Sequence, residues 1–136
     1  MSKNQVMIRR FNTKDENQLF ALLEREGEGW SCYWYGENRG EYAKALDNSI
    51  NYLLFSENEL CGYIRCHDDD GFGVYVYDLL VDKSHRGKEF GRLLMEQVCN
   101  DFSGKEVYVL GGNSPYYEKL GYAIEGTIYI VKPKKQ

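Results

Sequence analysis

The 136-residue sequence has few of the residues that mark secreted scaffolds, zinc domains or membrane proteins. Only 2 prolines are present, which excludes long proline-rich linkers. The 4 cysteines form no Cys-x-x-Cys pair and are joined by only 2 histidines, so we expect reduced thiols and no bound metal. No apolar run approaches the ~18 residues of a membrane helix, and the amino terminus has no signal-peptide stretch. These absences predict a soluble, cytoplasmic protein without a membrane partner.

A basic excess is also missing. The chain carries 17 basic and 21 acidic side chains, a formal charge of −4, and this balance argues against a protein that mainly grips nucleic-acid phosphates. What is present is an ordinary globular composition, 43% hydrophobic, with an aromatic content of 15%. The length suits one domain spanning residues 1–136 with a core of its own.

The order of apolar patterns predicts an α+β fold with a mixed sheet. Helical patterns begin at the capping signature Thr13-Lys14-Asp15-Glu16, around Tyr42 and near Glu89, and a short helix should follow Ser114-Pro115. Strand patterns occupy residues 5–11, 50–56, 60–67, 73–81 and 107–110, and a terminal hairpin is predicted from 122–125 and 127–131.

The most informative local signal lies where the strand that ends at Val81 gives way to the long helix. A turn that contains Gly87 precedes the helix, so several backbone N–H groups should point to one place. Arg86, Lys88 and Arg92 add positive charge to an otherwise acidic chain. This pattern favours a phosphate site over the alternative, a solvated helix start, by only about two to one.

Two strings of residues resemble signatures of the GNAT superfamily of N-acetyltransferases. The first is Arg86-Gly87-Lys88-Glu89-Phe90-Gly91-Arg92 after Asp78-Leu79-Leu80-Val81, similar to the acetyl-CoA signature. The second is Tyr116-Tyr117-Glu118-Lys119-Leu120-Gly121-Tyr122. Separated by the expected helix and strand, the two together are fairly specific. One departure is plain: Glu89 stands where the family usually has a glycine that lets the backbone approach the pyrophosphate.

The resemblance implies a three-layer α/β/α fold whose mixed, mostly antiparallel sheet is splayed at the acetyl-CoA site. It implies that acetyl-CoA is the cosubstrate and that no metal is needed. The backbone of Leu79, Leu80 and Val81 would hold the pantetheine and thioester. The pyrophosphate would be held by the turn and the first helical residues, namely Arg86, Gly87, Lys88, Glu89, Phe90, Gly91 and Arg92.

Catalytic residues follow from the same resemblance and from their chemistry. Tyr117 matches the family's general acid, since a phenol with a pKa near ~10 suits a thiolate leaving group. Tyr116 is the alternative, but its side chain points ~100° away on a helix. Asp78, in an otherwise apolar or aromatic run, is the candidate base for the amine; the competing interpretation is a carboxylate satisfied by its neighbours. Asn113 is the candidate to hydrogen-bond the pantetheine.

The acceptor should enter near the segment between the first two helices. Residues 24–41 carry five acids and two bases together with Trp30, Tyr33, Trp34 and Tyr35, which predicts a cationic amine. Aromatics that fill a small core beneath an acidic loop are an equally good interpretation. The expected function is acetyl transfer from acetyl-CoA to a primary amine. The alternatives are a catalytically impaired acyl-CoA-binding or protein-interaction module and, less favoured, a nucleic-acid modifier. A second copy of the chain, which would form a homodimer, is a further candidate partner.

Overall fold

A five-stranded sheet forms the middle layer of the fold. The computed structural model describes residues 5–111 and 115–134. Its strands lie in chain order: β1 (Val6–Arg10), β2 (Ile50–Ser56), β3 (Glu59–Asp68), β4 (Val74–Val81) and β5 (Val107–Val109). The first four pair antiparallel and β5 pairs parallel to β4, so the predicted mixed, mostly antiparallel α+β sheet is confirmed.

Helices cover both faces of the sheet and create two cores. One face packs against α1 (Glu16–Glu26), α2 (Ser31–Trp34) and α3 (Asn38–Asp47), with fully buried Phe20, Leu53 and Tyr63 at its centre. The other face packs against α4 (Phe90–Asp101) through Leu94 and Val98. A last short helix, α5 (Tyr116–Lys119), follows β5. The arrangement is the expected three-layer α/β/α fold.

The start of the first helical segment differs slightly from its predicted capping box. The capping residue is Asn12, whose side chain accepts from the Lys14 N–H, while Asp15 accepts from the Asn12 N–H at 2.9 Å. Asp15 also accepts two bonds from the Arg9 guanidinium at 2.7 and 2.8 Å. The bonding to Arg9 stabilises the charged carboxylate more than burial destabilises it, so the pKa of Asp15 is lowered. The segment therefore begins one residue earlier than predicted because Asn caps at least as well as Thr.

A bulge in β4 decides which side chains face which helices. Arg65 of β3 lies opposite Asp78 and Cys66 lies opposite Val76, so Tyr77 is an extra residue without an opposing partner. Side chains alternate along a strand, and one extra residue inverts that alternation. Val74 and Val76 consequently pack on the α4 side, whereas Asp78 and Leu80 pack on the side of α1–α3.

The parallel pairing of β4 with β5 is short. It covers only Val74–Val76 opposite Val107–Val109, with two further bonds, from the Val74 N–H to the Glu106 carbonyl at 2.9 Å and from the Leu110 N–H to the Val76 carbonyl at 3.1 Å. β5 ends at Val109, whereas β4 continues to Val81. Residues 77–81 of β4 therefore present a backbone edge that no described strand covers, which is the splay that the resemblance implied.

The predicted terminal hairpin is wrong. Residues 122–134 form no regular secondary structure, and the apolar side chains of Ile128, Tyr129, Ile130 and Val131 are 64–89% exposed. Their largely β-branched pattern is typical of a strand, but a strand forms only when it pairs with another, and this segment pairs with no strand within the described residues. Among the helices of residues 5–111 and 115–134, none is both long and apolar enough to cross a membrane.

Candidate functional site

Three elements meet at the uncovered edge of β4. The Tyr116 hydroxyl of α5 lies so close to Gly91, in the first turn of α4, that a Cβ on residue 91 would overlap it. The same Cβ position lies 3.8 Å from Cδ2 of Leu79, which belongs to the uncovered part of β4. The predicted donor-site residues of β4, α4 and α5 are thus brought together. Leu79 and Val81 are half-buried and Leu80 is buried.

The amino terminus of α4 offers backbone donors to this place. The first intrahelical bond of the element runs from the Leu93 N–H to the Glu89 carbonyl at 3.1 Å. The amides of Phe90, Gly91 and Arg92 therefore have no acceptor within their own helix. Such donors, together with the helix dipole, attract anions. The predicted turn followed by a helix start is therefore present, and phosphate binding there stays a prediction.

Glu89, the residue that departs from the family pattern, adopts a left-handed backbone conformation with φ = 65°. This is a conformation that glycine adopts readily and that costs a side-chain-bearing residue about 1 kcal/mol or more. Its carboxylate is exposed and accepts a 2.8 Å bond from Nε of Arg92. The acid therefore points outward, and it pairs with Arg92 of the first helical turn.

Arg86 is held by protein groups. Its NH2 nitrogen is 2.8 Å from both carboxylate oxygens of Glu26 in α1, and its Nε donates to the Val81 carbonyl at 3.0 Å. Nearby, Arg25 pairs with Asp82 at 3.1 Å. The carboxyl end of α1 is thereby fastened to the turn. Lys88 and Gly87 are exposed, and Gly87 has φ = 89°.

Tyr117 of α5 packs against Gly111, two residues after β5. A Cβ on Gly111 would be 2.7 Å from Cδ2 of the Tyr117 ring, so the glycine permits close packing there. The ring also stacks with Tyr122 at a centroid distance of 6.3 Å. Burial, aided by the two neighbouring tyrosines, raises the pKa of Tyr117 to about 12. The phenol therefore keeps its proton throughout the neutral range. Asn113, the predicted pantetheine ligand, lies outside the described residues.

Asp78 is the centre of a buried hydrogen-bond network. Its Oδ1 accepts from the Tyr33 hydroxyl, and its Oδ2 accepts from the Tyr42 hydroxyl and from Nε of Arg65, each at 2.6 Å. The Tyr42 hydroxyl is also 2.7 Å from that of Tyr63. Asp78 is 4% exposed, so almost all of its polar capacity is met by protein. The sequence did not indicate these partners because they come from α2, α3 and β3, far along the chain.

The network keeps its phenols neutral. Burial, with the nearby Asp78 carboxylate, raises the pKa values of Tyr33 and Tyr42 well above the usual range. Burial alone would lower the pKa of Arg65, but its bond to Asp78 outweighs this and raises it. The three donors to Asp78 match the competing interpretation of this residue, a carboxylate satisfied by its neighbours.

The aromatic segment before α3 is mostly packed. Trp30, Tyr33 and Trp34 pack against the core on that face, whereas Tyr35 is 70% exposed. The buried Nε1 of Trp34 has no acceptor within the described residues. Two of the segment's acids are paired, Glu24 with Arg39 and Glu26 with Arg86. The exposed acids Glu28, Glu37 and Glu41 have no ion pair in the described part of the chain.

Solved structures share this architecture across nearly the whole chain. A GNAT-family acetyltransferase from Streptococcus pneumoniae is 23% identical, with a TM-score of 0.72 over 95% of this chain and 100% of that one. A ribosomal-protein-alanine N-acetyltransferase from Brucella melitensis biovar Abortus is 17% identical (TM-score 0.72; 94% and 99% covered). An aminoglycoside N-acetyltransferase in complex with CoA is 12% identical, with a TM-score of 0.68 over 99% of this chain and 97% of that one. At these identities the likeness establishes the fold.

The sequence itself matches the family model of the acetyltransferase (GNAT) family over residues 15–122. The match includes both strings that carried the resemblance and extends from the first helix to Tyr122. The matched residues include β4 with its unpaired edge, the turn before α4 and the tyrosines of α5. The family assignment therefore applies to the residues whose geometry is described above. The chain belongs to the GNAT family of acetyltransferases.

Proposed function

We propose that this protein transfers the acetyl group of acetyl-CoA directly to a primary amine within a ternary complex. The observation that carries the proposal is the meeting of three features in one place: the uncovered edge of β4, the α4 amides that have no acceptor within their helix, and α5, which places Tyr116 against Gly91 and carries Tyr117 as the next residue. One feature binds a thioester, the second binds phosphate and the third supplies a proton. The CoA complex of the structurally similar aminoglycoside N-acetyltransferase supports the choice of donor.

Acetyl-CoA would lie along the splay. The amides of Gly91 and Arg92 would bind its pyrophosphate, and exposed Lys88 would add a charge that can follow the phosphates. A backbone N–H of residues 79–81 that points at the thioester oxygen would stabilise the oxyanion that forms on attack. One such donor contributes about 3–4 kcal/mol to the transition state.

The reaction forms one bond and breaks one. The neutral amine attacks the thioester carbonyl, a C–N bond forms, and the C–S bond breaks when the tetrahedral intermediate collapses. The sulfur leaves as a thiolate and takes the proton of the Tyr117 hydroxyl. The nitrogen, which now carries one proton too many for an amide, releases it to solvent, and the Tyr117 phenolate regains a proton from solvent. Tyr117 keeps its proton at neutral pH because its pKa is about 12. Transfer to a thiolate, whose thiol has a pKa of ~8.5, is uphill, so the step is completed by return of a proton to the phenolate.

Before attack the amine has to lose a proton, because an alkylammonium ion with a pKa of ~10.4 has no lone pair. Asp78 remains our candidate for receiving it. Since Tyr42 and Arg65 occupy Oδ2, the route would run through Tyr33, the half-buried donor on Oδ1. The ammonium proton would pass to the Tyr33 oxygen while the phenol's own proton passes to Asp78.

The acceptor we propose is a cationic amine. Exposed Glu28, Glu37 and Glu41 and the exposed ring of Tyr35 lie on the segment beside the Asp78 network, and a cation is attracted to both carboxylates and aromatic faces. Because the cysteines at 32, 61, 66 and 99 are all free, we further propose that the protein works in the reducing cytoplasm.

A second candidate is a module that binds acyl-CoA without turnover. Two observations favour it: Arg86 is already engaged by Glu26, and a carboxylate replaces glycine at position 89. The experiment that separates the two measures CoA affinity by calorimetry and, in parallel, CoA release with a panel of polyamines, aminoglycosides, amino acids and peptide amines. Release with one amine class supports the enzyme. Tight CoA binding with no release from any amine supports the module.

A further inference from the structure

Outside the acetyl-CoA site, the fold brings a thiol, an imidazole and a carboxylate together. The side chains of Glu59, Cys61 and His85 place one ligand atom each within 4.8 Å of the other two. They come from the start of β3 and from the turn of residues 83–85 after β4. We propose that these three residues bind a divalent transition-metal ion of the zinc class, a site that the sequence, with its scattered cysteines, did not predict.

Cys61 is directed into this place by a bulge. In the pairing of β2 with β3, Leu54 lies opposite Gly62 and Phe55 lies opposite Leu60, so Cys61 is the extra residue. Bulges re-aim a side chain and interrupt pairing. The backbone of the bulged residue also forms a hydrogen bond, because the Cys61 carbonyl accepts from the Asp82 N–H at 2.7 Å. The strand that carries the thiol is thereby tied to the turn that carries His85.

His85 is already oriented. Its Nδ1 is 3.1 Å from the Ser84 hydroxyl, and a ring held through one nitrogen presents the other, Nε2, to a metal. The imidazole also stacks on Phe90 with an interplanar angle of 23°. Phe90 is buried, so the ring rests on a rigid support. Glu59 is exposed and can change rotamer to approach the other two.

The ligand chemistry selects the class of ion. A set of one sulfur, one nitrogen and one oxygen suits Zn²⁺, and ligand atoms around tetrahedral zinc lie roughly 3.4–3.7 Å apart, a modest contraction of the arrangement seen here. On binding, the S–H bond of Cys61 breaks, a sulfur–metal bond forms and the proton leaves to solvent. Three protein ligands leave a fourth position for water.

A metal bound here would affect the turn that is proposed to bind acetyl-CoA. His85 is four residues before Glu89, and its ring stacks with that of Phe90, the first residue of α4. Metal binding would therefore join β3 to the turn and to the start of α4, where the amides proposed to bind phosphate lie. We expect the ion to raise the melting temperature of the protein, because it binds the folded state more tightly than the unfolded chain.

The test uses the untagged protein and Co²⁺ or Zn²⁺ alone, without acetyl-CoA. Co²⁺ bound to a thiolate absorbs in the near ultraviolet, so we expect a band in the wild type that is absent in Cys61→Ser. His85→Asn, a change at a half-exposed side chain, should weaken Zn²⁺ affinity at least about tenfold and abolish the rise in melting temperature. Cys99→Ser, Cys32→Ser and His67→Asn are the matched controls, and they should bind within about twofold of wild type.

Retention of the thiolate band in Cys61→Ser, equal loss in the three controls, or no band in wild-type protein with excess Co²⁺ would each overturn the proposal. Because Cys61 is fully buried, Cys61→Ser is assessed together with His85→Asn. If Cys61→Ser does not fold, unchanged Zn²⁺ affinity in His85→Asn is sufficient to reject the site. No turnover is measured, so the outcome does not depend on whether the protein is an acetyltransferase.

Discussion

The carboxylate of Glu89 accepts a 2.8 Å hydrogen bond from Nε of Arg92, although the Glu89 backbone is left-handed, with φ = 65°. The residue therefore carries a backbone cost at the N-cap position of α4, and its side chain, which makes no capping hydrogen bond, binds Arg92 instead. Replacement by glycine relieves the backbone and frees Arg92. Replacement by alanine frees Arg92 but keeps the backbone cost.

Glu89→Gly and Glu89→Ala should therefore separate strain from charge. We expect the glycine variant to be about 1 kcal/mol more stable than the alanine variant in denaturant unfolding, since only glycine relieves the positive φ. Both should bind CoA as well as wild type or better by calorimetry, because both remove a negative charge near the pyrophosphate. A large loss of CoA affinity in either would contradict an outward-pointing Glu89.

Tyr117→Phe should lower kcat by about 10²-fold or more, the usual contribution of a general acid, while CoA affinity stays within about twofold. The pKa of Tyr117 is raised above that of a free phenol, to about 12, so its protonated form persists as the pH rises. Turnover should consequently show no loss from Tyr117 ionisation below about pH 11. Tyr116→Phe is the matched control and should keep most activity. Equal turnover in Tyr117→Phe and wild type would remove the role.

Gly111→Ala tests the position of Tyr117 without altering its hydroxyl. The added methyl group would come within 2.7 Å of the Tyr117 ring, so the ring has to move. We expect kcat to fall at least about tenfold, because a displacement of ~1 Å costs a catalytic group much of its effect. Gly40→Ala is the control: nothing lies within 4 Å of that Cβ in α3, and it should raise stability by about 0.5–1 kcal/mol. Similar kinetics in the two variants would show that Tyr117 does not act from this position.

Tyr33→Phe tests the proposed route to Asp78. If the amine's proton reaches Asp78 through Tyr33, this variant should lower kcat about tenfold or more and shift the acidic limb of the pH–rate profile. Tyr42→Phe is the matched control, since it removes a bond to the same carboxylate from a fully packed side chain. A drop in stability with an unchanged pH profile in both variants would assign Asp78 to structure alone.

Most of the fold was predictable because it depends on local patterns. Strands 50–56 and 74–81 and helices α1 and α4 alternate or repeat strongly enough for their type and approximate bounds to follow from the sequence. The terminal hairpin was not, because residues 122–131 have a strand pattern but pair with no strand in the described part of the chain, and pairing is a property of the whole sheet.

The candidate site was likewise predictable only where it depends on local sequence. The turn before α4 and the α5 tyrosines form compact motifs, so the sequence alone indicated them as candidates. The partners of Asp78 and the proximity of Cys61 to His85 depend on contacts between residues more than 10 positions apart in sequence. In both cases a strand bulge sets which way the side chain points, and no feature of the residue types at Tyr77 or Cys61 announces a bulge.

The bulge at Tyr77 makes β4 sensitive to its register. Because Tyr77 has no opposing partner, its deletion would leave Val76 opposite Cys66 and Asp78 opposite Arg65, and both side chains would keep their present facing. Regular pairing of Tyr77 with Arg65 would instead turn Asp78 from the polar network toward α4 and Leu79 into that network. Each would then be a misplaced group, a charge among aliphatic side chains and an aliphatic side chain facing Arg65. The position of Asp78 in its network therefore depends on residue 77 staying unpaired.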